Sequence, residues 1–519
     1  MVLYLMGIDV GSTVCKTTIY DCEGRIVSTT GREYEDVFIY PREDWCEYDP
    51  EKFWKTVASC ISDCIRMGKL NPKDIIALSV SVSGESIIPI GRDGKPVYNG
   101  INWTDRRSKS YEPQREKIDR KLGALRIYKI TGYPLNPVPS SVRILWLKDE
   151  RTDVYDKVWK FMLWEDFVNW KLTGEAALSY STASSSQLFD IRRREWSSEI
   201  LEALDINIDL LSKCMPSGKV VGEVCLRASE ETGLSKGTLV VTGGWDQTCG
   251  ALGAGVLEEG QACNTTGTVE CVTPVMKDPV VDEKTLSIGL YCSPHVVGES
   301  YVYFAWFPTS GAILKWFRDN FAEKEVEIAN KTGQDVYDIL TSEAAESKPG
   351  ANGLFLLPFF EGSGVGQPPA FNIDARGVLI GLRLYHRKSD VIRAILEGVA
   401  FQTRIIIEKI EELGIPIREL RAIGGGAKSK LWMQIKADVT NKKIVLPDVT
   451  EAGTLGAAIL ASVAGKVYTN VEKAARKMCR EKSIFHPRAE IAEIYSKYYN
   501  VYKELYPNLL PVFNKMASL

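Results

Sequence analysis

The sequence lacks the features that place a protein in a membrane or on a nucleic acid. Its 519 residues include 64 basic and 67 acidic side chains, which leaves a formal net charge of −3. No apolar stretch approaches the ~20 residues that span a bilayer. The first residues have no basic segment or cleavage site, so they predict a strand and not a signal peptide. We therefore expect a cytoplasmic protein without a membrane or nucleic-acid partner.

Histidine is scarce, and the cysteines show no metal or disulfide framework. The chain has three histidines, and none has the spacing of a catalytic triad. Its 12 cysteines are scattered; Cys60 and Cys64 share one helical face, which favours buried, reduced thiols over a metal site. There is no Gly-x4-Gly-Lys-Ser/Thr loop, and no Gly-x-Gly-x-x-Gly follows the first strand, so P-loop and Rossmann folds are disfavoured.

The chain does contain two similar series of strands, glycine turns and helices. Residues 4–28 predict three strands separated by glycine turns, followed by a helix from Pro50 and a strand over 75–83. A second series begins near Gly260 and ends in a strand and glycine turn over 421–427. The sequence therefore predicts an α/β protein of two related domains, residues 1–250 and 251–519, facing each other across a cleft.

Asp246 is the best single candidate for a catalytic residue. It follows the apolar run 238–242 and two glycines, which predict a buried strand with a tight exit. Ligands of open α/β sheets bind at the carboxyl ends of strands, where a carboxylate can accept a proton from a hydroxyl group. An isolated Asp of this kind more often caps the next helix, predicted over 248–257. Three further glycine turns favour the catalytic interpretation.

Those three turns have the composition of a nucleotide site. Residues 9–13, Asp-Val-Gly-Ser-Thr, combine a bare backbone that suits phosphate oxygens with a carboxylate, Asp9, that could hold Mg²⁺ through water; Lys16 could add positive charge. Residues 264–268 form a second hydroxyl-rich turn. The triple glycine 424–426 lets the backbone approach a nucleobase or ribose.

In this order and spacing the motifs resemble the FGGY family of carbohydrate kinases, over nearly the whole chain. The resembling segments are Ile8-Asp-Val-Gly-Ser-Thr13, Trp103-Thr-Asp-Arg-Arg107, Gly244-Trp-Asp-Gln247, Gly377-Val-Leu-Ile-Gly-Leu382 and Gly424-Gly-Gly-Ala-Lys-Ser429. The resemblance implies two actin-like, ribonuclease H-like ATPase domains around a catalytic cleft. It also implies ATP and Mg²⁺ as cofactors, and by itself it suggests a homodimer.

The resemblance assigns a role to each candidate residue. Asp246 becomes the base that accepts the proton of the sugar hydroxyl, and Asp9 the residue that helps to hold Mg²⁺. Sugar-binding residues are expected to be Glu85, Trp103, Asp105, Asp246 and Gln247. ATP-binding residues are expected to be Gly11, Ser12, Thr13, Lys16, Thr266, Gly267, Thr268, Gly311, Gly425, Gly426 and Ala427.

The expected substrate is a small sugar, first of all a ketopentose such as xylulose. The segment Ser81-Val-Ser-Gly-Glu-Ser86 departs from the pattern of xylulose kinases, although Glu85 stands where related kinases place His or Glu. Glycerol, another polyol, a 6-deoxy ketose and a signalling furanone sugar are the alternatives. Outside the sugar kinases, the alternatives are an actin-like or chaperone-like ATPase that acts on a protein partner and a non-catalytic sugar sensor.

Overall fold

The computed structural model describes residues 3–107, 111–367 and 370–519. Two large sheets organise the chain. The strands of the first sheet are β1 (Tyr4–Val10), β2 (Val14–Asp21), β3 (Ile26–Glu33), β4 (Ile75–Val82), β5 (Val220–Glu223) and β6 (Leu239–Trp245). The strands of the second are β7 (Gly260–Thr266), β8 (Glu270–Met276), β9 (Tyr291–Pro294), β10 (Tyr301–Phe307), β11 (Ile417–Ile423), β12 (Lys443–Pro447) and β13 (Glu481–Phe485).

The two sheets share a five-stranded arrangement. In the first sheet the order β3-β2-β1-β4-β6 has antiparallel pairing up to β1 and parallel pairing beyond it. In the second, β10-β8-β7-β11-β12 shows the same order and the same directions. The predicted repeat of strand, glycine turn and strand is therefore confirmed in both halves of the chain.

Seven helices position the site or its support. They are α1 (Pro50–Gly68), α2 (Asp246–Gly253), α3 (Gly311–Phe321), α4 (Lys388–Glu412), α5 (Lys430–Thr440), α6 (Ala452–Ala464) and α7 (Ala489–Met516). Other helices cover Glu112–Leu122, Ala124–Thr131, Ser140–Glu150, Thr152–Tyr155, Trp164–Thr173, Tyr180–Ser184, Ser198–Leu204, Leu226–Thr232, Glu283–Ser287, Glu323–Thr332, Val336–Ala344 and Val471–Met478. Short strand pairs lie at Ile88–Gly91 with Val158–Met162, Ala177–Ser179 with Lys213–Met215, Phe189–Asp190 with Glu195–Trp196, and Phe355–Leu357 with Val378–Ile380, and a small sheet joins Phe38–Ile39, Glu47–Tyr48 and Gly100–Ile101.

Helix α1 illustrates how local sequence sets these elements. The Asp49 side chain accepts hydrogen bonds from the backbone N–H groups of Glu51 and Lys52, at 2.8 and 3.1 Å, and Pro50 occupies the first helical position. The predicted start at Pro50 is therefore confirmed. At the other end of the chain, α7 buries Tyr495, Tyr499, Tyr502 and Tyr506 against the second half.

Helices α2 and α6 cross between the two sheets with their backbones in close contact. A Cβ atom added to Gly253 would lie 1.9 Å from the carbonyl oxygen of Ala452, and one added to Gly456 would lie 2.0 Å from that of Cys249. Only glycine permits this approach. Helix α2 ends at Gly253, four residues before the predicted end at 257. Helix α6 thus packs on the first sheet although it comes from the second half of the chain.

No helix in the described ranges combines the length and hydropathy needed to cross a membrane. All 12 cysteines are free thiols, and Cys60 and Cys64 are both buried, as expected.

Candidate active site

Asp246 lies at the junction of β6 and α2, as the first residue of the helix. Glycine is required three residues before it, because a Cβ atom at Gly243 would lie 1.8 Å from the carbonyl oxygen of Val80 in the neighbouring strand. The Oδ1 atom of Asp246 accepts the backbone N–H of Gln247 at 2.7 Å, and Oδ2 accepts the Ser83 hydroxyl at 3.5 Å. Asp246 as a whole is half-buried at the end of the parallel strands.

The surroundings of Asp246 suit a base that works near neutral pH. Burial raises its pKa to about 7, and the negative charge of Asp9 adds to the increase. The hydrogen bonds from the Gln247 backbone and Ser83 act in the opposite direction. A carboxylate with this pKa is ionised in a large fraction of molecules at pH 7 and is a stronger proton acceptor than an ordinary Asp.

Asp9 lies near the carboxyl end of β1, in the same cleft. Its Oδ1 atom accepts the Ser81 hydroxyl at 2.6 Å. Burial raises the pKa of Asp9, while the hydrogen bond from Ser81 and the charge of Lys16 oppose that shift. Gly453 of α6 passes so close that a Cβ atom there would lie 2.9 Å from Asp9 Oδ1. Within the described ranges, no three His, Cys, Asp or Glu side chains form a metal cluster.

The first glycine turn connects Asp9 with the predicted sugar side. Gly11 donates its N–H to the carbonyl of Val14 at 3.2 Å, which closes the turn. The Ser12 hydroxyl lies 2.9 Å from that of Ser83 and accepts the indole N–H of Trp103 at 2.7 Å. Thr13 is exposed at the tip. The structure therefore brings Ser12 and Trp103 together with Ser83, which in turn contacts Asp246.

Lys16 points across to the second half of the chain. Its Nζ atom lies 2.8 Å from Oε2 of Glu451, just before α6. Both side chains line a groove of about 750 Å³ that also includes Gly424, Gly425 and Ala427. One wall of this groove thus comes from β2 and the other from the triple-glycine turn.

Glu85 is buried in an unusual backbone conformation. Its φ angle is 63°, in the left-handed region that non-glycine residues seldom adopt. Its Oε1 atom accepts the hydroxyl of Tyr133 at 3.1 Å, and its backbone N–H donates to Ser185 Oγ at 3.1 Å. Burial raises the pKa of Glu85 to about 8, and the charge of Asp246 also raises it. At neutral pH Glu85 is therefore mostly a neutral carboxylic acid beside the base.

The Trp103 segment is held from behind by buried charges. Asp105 is fully buried, and its oxygens accept hydrogen bonds from Arg107 Nε at 2.8 Å, from the Cys46 N–H at 2.7 Å and from the Tyr111 hydroxyl at 3.2 Å. These partners occupy the carboxylate that the sequence assigned to the sugar. Asp105 thus supports the shape of the segment, while Trp103 and Gln247 are partly exposed near Asp246.

The second glycine turn mirrors the first. Gly267 donates its N–H to Val269 at 3.0 Å, and Gly311 at the start of α3 donates its N–H to the carbonyl of Gly267 at 2.8 Å. Thr268 is exposed, but Thr266 is buried and its Oγ1 atom accepts a hydrogen bond from Lys436 at 2.5 Å. The hydroxyl of Thr266, which the sequence assigned to phosphate, is therefore turned inward.

The triple-glycine turn exposes its backbone as predicted. Gly424 has a φ angle of 90°, and residues Gly425–Lys428 form a 3₁₀ turn before α5. Gly425 is exposed, Gly426 is half-buried, and Ala427 is buried against the core. A flat ligand can approach the exposed backbone at this point.

Ser83 and Tyr133 belong to this site but were not predicted from the sequence. Ser83 directly follows β4, two residues before Glu85, so its place beside the cleft was available from the strand prediction. Tyr133 is 48 positions from Glu85 along the chain, and no local pattern joins the two.

Comparison with known proteins identifies the family. The N-terminal domain model of the FGGY family of carbohydrate kinases matches residues 4–253, and the C-terminal domain model matches residues 262–465. The chain belongs to the FGGY family of carbohydrate kinases. This FGGY kinase is an ATP-dependent sugar phosphotransferase with an alcohol group as acceptor.

The relatives of this FGGY kinase carry several substrate names. A gluconokinase of Bacillus subtilis is 30% identical over 90% of this chain and 89% of its own length. A xylulose kinase of B. subtilis is 27% identical over 97% and 96%, and an autoinducer-2 kinase of Yersinia pestis is 30% identical over 95% and 92%.

The fold is that of two actin-like, ribonuclease H-like ATPase domains. The crystal structure of a ligand-bound xylulose kinase from Lactobacillus acidophilus superposes with a TM-score of 0.87, at 24% identity, over 99% of both chains. The predicted fold class and family are therefore confirmed.

Proposed function

We propose that this FGGY kinase transfers the γ-phosphoryl group of ATP to a hydroxyl of a neutral ketopentose such as xylulose. The observation that carries the proposal is the chain of contacts from Asp246 through Ser83 and Ser12 to Trp103, with the buried Glu85 electrostatically coupled to Asp246. The domains that enclose it are proposed to be residues 1–250 and 251–519.

The charges around the cleft favour a neutral sugar over a sugar acid. Asp9 and Asp246 supply carboxylates, and Glu85 would become a third if it lost its proton. Arg143, a nearby cation, is buried and donates to the backbone carbonyls of Asn102 and Trp103, at 3.2 and 2.8 Å. A substrate carboxylate would thus meet carboxyl groups and a guanidinium that is already engaged, so gluconate fits this charge distribution poorly.

In the proposed reaction, the role of each residue follows from its surroundings. Asp246 orients the reacting hydroxyl and accepts its proton, a contribution of ~10²–10⁴-fold in comparable enzymes. Glu85, with Tyr133, donates or accepts hydrogen bonds at the other sugar oxygens, and Trp103 offers an apolar face. The exposed turns at Ser12–Thr13 and Gly267–Thr268 are proposed to approach the phosphates from opposite sides, and Gly425, Gly426 and Ala427 the adenosine.

The carboxylate of Asp9 fits Mg²⁺, which proteins hold with one or two carboxylates while substrate phosphates and water supply the rest. When bound, the ion would neutralise charge on the phosphates. Because ATP and free cysteine thiols are typical of the cytosol, we propose a cytoplasmic location. A homodimer stays a prediction.

A coupled assay of ATP consumption tests the proposal. Purified protein with Mg²⁺ is offered xylulose, ribulose, a 6-deoxy ketose, glycerol and gluconate. The proposal predicts that a ketopentose raises turnover far above the sugar-free rate and that gluconate does not. Stimulation by gluconate alone would contradict the charge argument. Strong basal hydrolysis without a response to any sugar would favour an ATPase that acts on a protein partner.

A further inference from the structure

A fully buried ion pair lies directly beneath the second glycine turn. It joins Lys436 of α5 with Glu270, the first residue of β8, and neither side chain has any solvent exposure. Burying two charges is costly, and an apolar pair of similar volume is often no less stable. Stability alone therefore does not explain why a lysine and a glutamate occupy this place.

The hydrogen bonds of the pair fix the turn from below. Lys436 Nζ donates to Asn264 Oδ1 at 3.0 Å and to Thr266 Oγ1 at 2.5 Å. Glu270 Oε1 accepts the side-chain amide of Asn264 at 2.7 Å. These contacts hold both ends of the turn that contains Gly267 and Thr268.

The same pair also holds the start of α3. Glu270 Oε2 accepts the Ser310 hydroxyl at 2.8 Å. Ser310 in turn donates its backbone N–H to the carbonyl of Thr268 at 2.9 Å, and Gly311 donates its N–H to Gly267. A shift of Ser310 would therefore move the turn and the helix start together.

Lys436 also links the ion pair to the triple-glycine turn, through the helix on which it lies. Helix α5 begins directly after the triple-glycine turn, where Ser429 caps it by accepting the N–H of Trp432 at 3.3 Å. The pair thus connects the turn 264–270, the start of α3 and the helix that follows residues 424–427. The first two segments contain Gly267, Thr268 and Gly311, which are expected to bind ATP, and the third begins directly after the adenosine-binding turn.

We propose that the Lys436–Glu270 pair is a positioning device for nucleotide binding, which sets the geometry of the phosphate turn relative to the adenosine-binding turn. The inference rests on the proposed nucleotide site and adds two residues to it that touch no ligand. Lys436 and Glu270 act through Thr266 and Ser310, which they hold in place.

Paired substitutions separate positioning from stability. Lys436→Met with Glu270→Leu removes both charges and leaves an apolar pair in the core. Lys436→Gln with Glu270→Gln also removes the charges, but its amides can still donate to Thr266 and accept from Ser310. Arg393→Met with Glu397→Leu is the matched control, because that pair is also buried, at 5% and 2% exposure, and is hydrogen-bonded to Tyr495 and Gly350 instead of the turn 264–270.

The measurement is calorimetric binding of a non-hydrolysable ATP analogue with Mg²⁺ in the absence of sugar. We expect the Met/Leu variant to bind roughly tenfold more weakly, which corresponds to about 1.4 kcal/mol of binding free energy. The Gln/Gln variant should recover most of the affinity, and the Arg393/Glu397 control should bind like the wild type. In turnover assays the KM for ATP should rise while the KM for sugar stays the same.

Wild-type analogue affinity in a folded Met/Leu variant would overturn the proposal. If that variant does not fold, Ser310→Ala provides the test, since it removes only one neutral hydroxyl group. We expect about threefold weaker analogue binding in Ser310→Ala. Unchanged binding in that variant would overturn the proposal. Because no sugar is present, a wild type that binds the analogue but phosphorylates no sugar would contradict the proposed substrate and leave this inference intact. A wild type that does not bind the analogue would overturn both.

Discussion

Lys16 and Glu451 join the two halves of the chain by an ion pair, with Nζ 2.8 Å from Oε2. Lys16 belongs to the strand after the first glycine turn, and Glu451 precedes α6. The two side chains are 41% and 25% exposed, so the pair contributes under ~1 kcal/mol to stability. Its significance is electrostatic, because Glu451 neutralises a cation that ATP phosphates would attract.

Substitutions on the two sides of this pair should have opposite effects on ATP. Glu451→Gln frees Lys16 and removes a negative charge near Asp9, so the KM for ATP should fall several-fold. Lys16→Met removes the cation, so the KM for ATP should rise. Thermal unfolding should change by only a few degrees in both variants. Equal changes in the same direction would show that Lys16 does not contact phosphate.

The pH dependence of catalysis should follow Asp246. Its pKa of about 7 means that the carboxylate is protonated, and unable to act as a base, below that pH. We expect kcat/KM to rise with pH to a midpoint near 7 and then to level. Ser83→Ala removes a hydrogen bond that lowers this pKa, so its midpoint should move to higher pH. A midpoint near 4 in the wild type would exclude Asp246 as the titrating base.

The titration of Glu85 should make the folded state less stable as the pH rises. Its pKa is raised from 4.5 to about 8 by burial, so between these values the folded state holds a proton that the unfolded state releases. The contribution of Glu85 to the free energy of unfolding is therefore fully present below about pH 4.5 and is lost as the pH rises through about 8. Glu85→Gln resembles the neutral acid, so its melting temperature should exceed that of the wild type more at pH 8 than at pH 5.

The same position should affect the sugar and spare the nucleotide. Glu85→Ala should raise the KM for sugar more than the KM for ATP, because Glu85 is hydrogen-bonded to Tyr133 and coupled to the charge of Asp246, and lies on none of the turns proposed to bind ATP. Steady-state kinetics with each substrate varied in turn will show the difference. An unchanged KM for sugar would remove Glu85 from the proposed sugar pocket.

The crossing of α2 and α6 should tolerate no side chain at Gly456. Alanine there would place Cβ 2.0 Å from the carbonyl of Cys249, and overpacking of this kind costs ~1–3 kcal/mol or more. Gly250→Ala is the matched control on α2, because the nearest atom to its Cβ is Ile423 Cδ1 at 3.6 Å. Removing a helical glycine there should stabilise by roughly 0.5–1 kcal/mol. Urea denaturation compares the two variants.

Much of the fold could be predicted from the sequence, because its signals are local. The N-cap at Asp49, the glycine turns and the apolar runs each determine an element within a few residues, and they recur in both halves. The crossing of α2 and α6 could not be predicted in this way. It depends on the backbone contact between Gly456 and Cys249, which are 207 positions apart.

The candidate site likewise contains residues that local sequence predicts and residues whose orientation it does not predict. Asp9 lies near the end of β1 and Asp246 follows β6, so the parallel pairing of β1, β4 and β6 brings them to one edge. The inward rotation of Thr266 depends on Lys436, and the engagement of Asp105 depends on Cys46 and Tyr111. Local composition does not encode such partners, and a hydroxyl or carboxylate in a turn has the same sequence signal whether it faces the cleft or the core.

The role of Asp246 as the base is tested most directly by the Asp246→Asn variant, assayed with the best sugar from the coupled panel and titrated with an ATP analogue. Asparagine keeps the shape of the side chain but cannot accept the proton. We predict that analogue binding stays within about twofold of the wild type, and that sugar phosphorylation falls by ~10²–10⁴-fold. Wild-type turnover in this variant would contradict the assignment of Asp246 as the base.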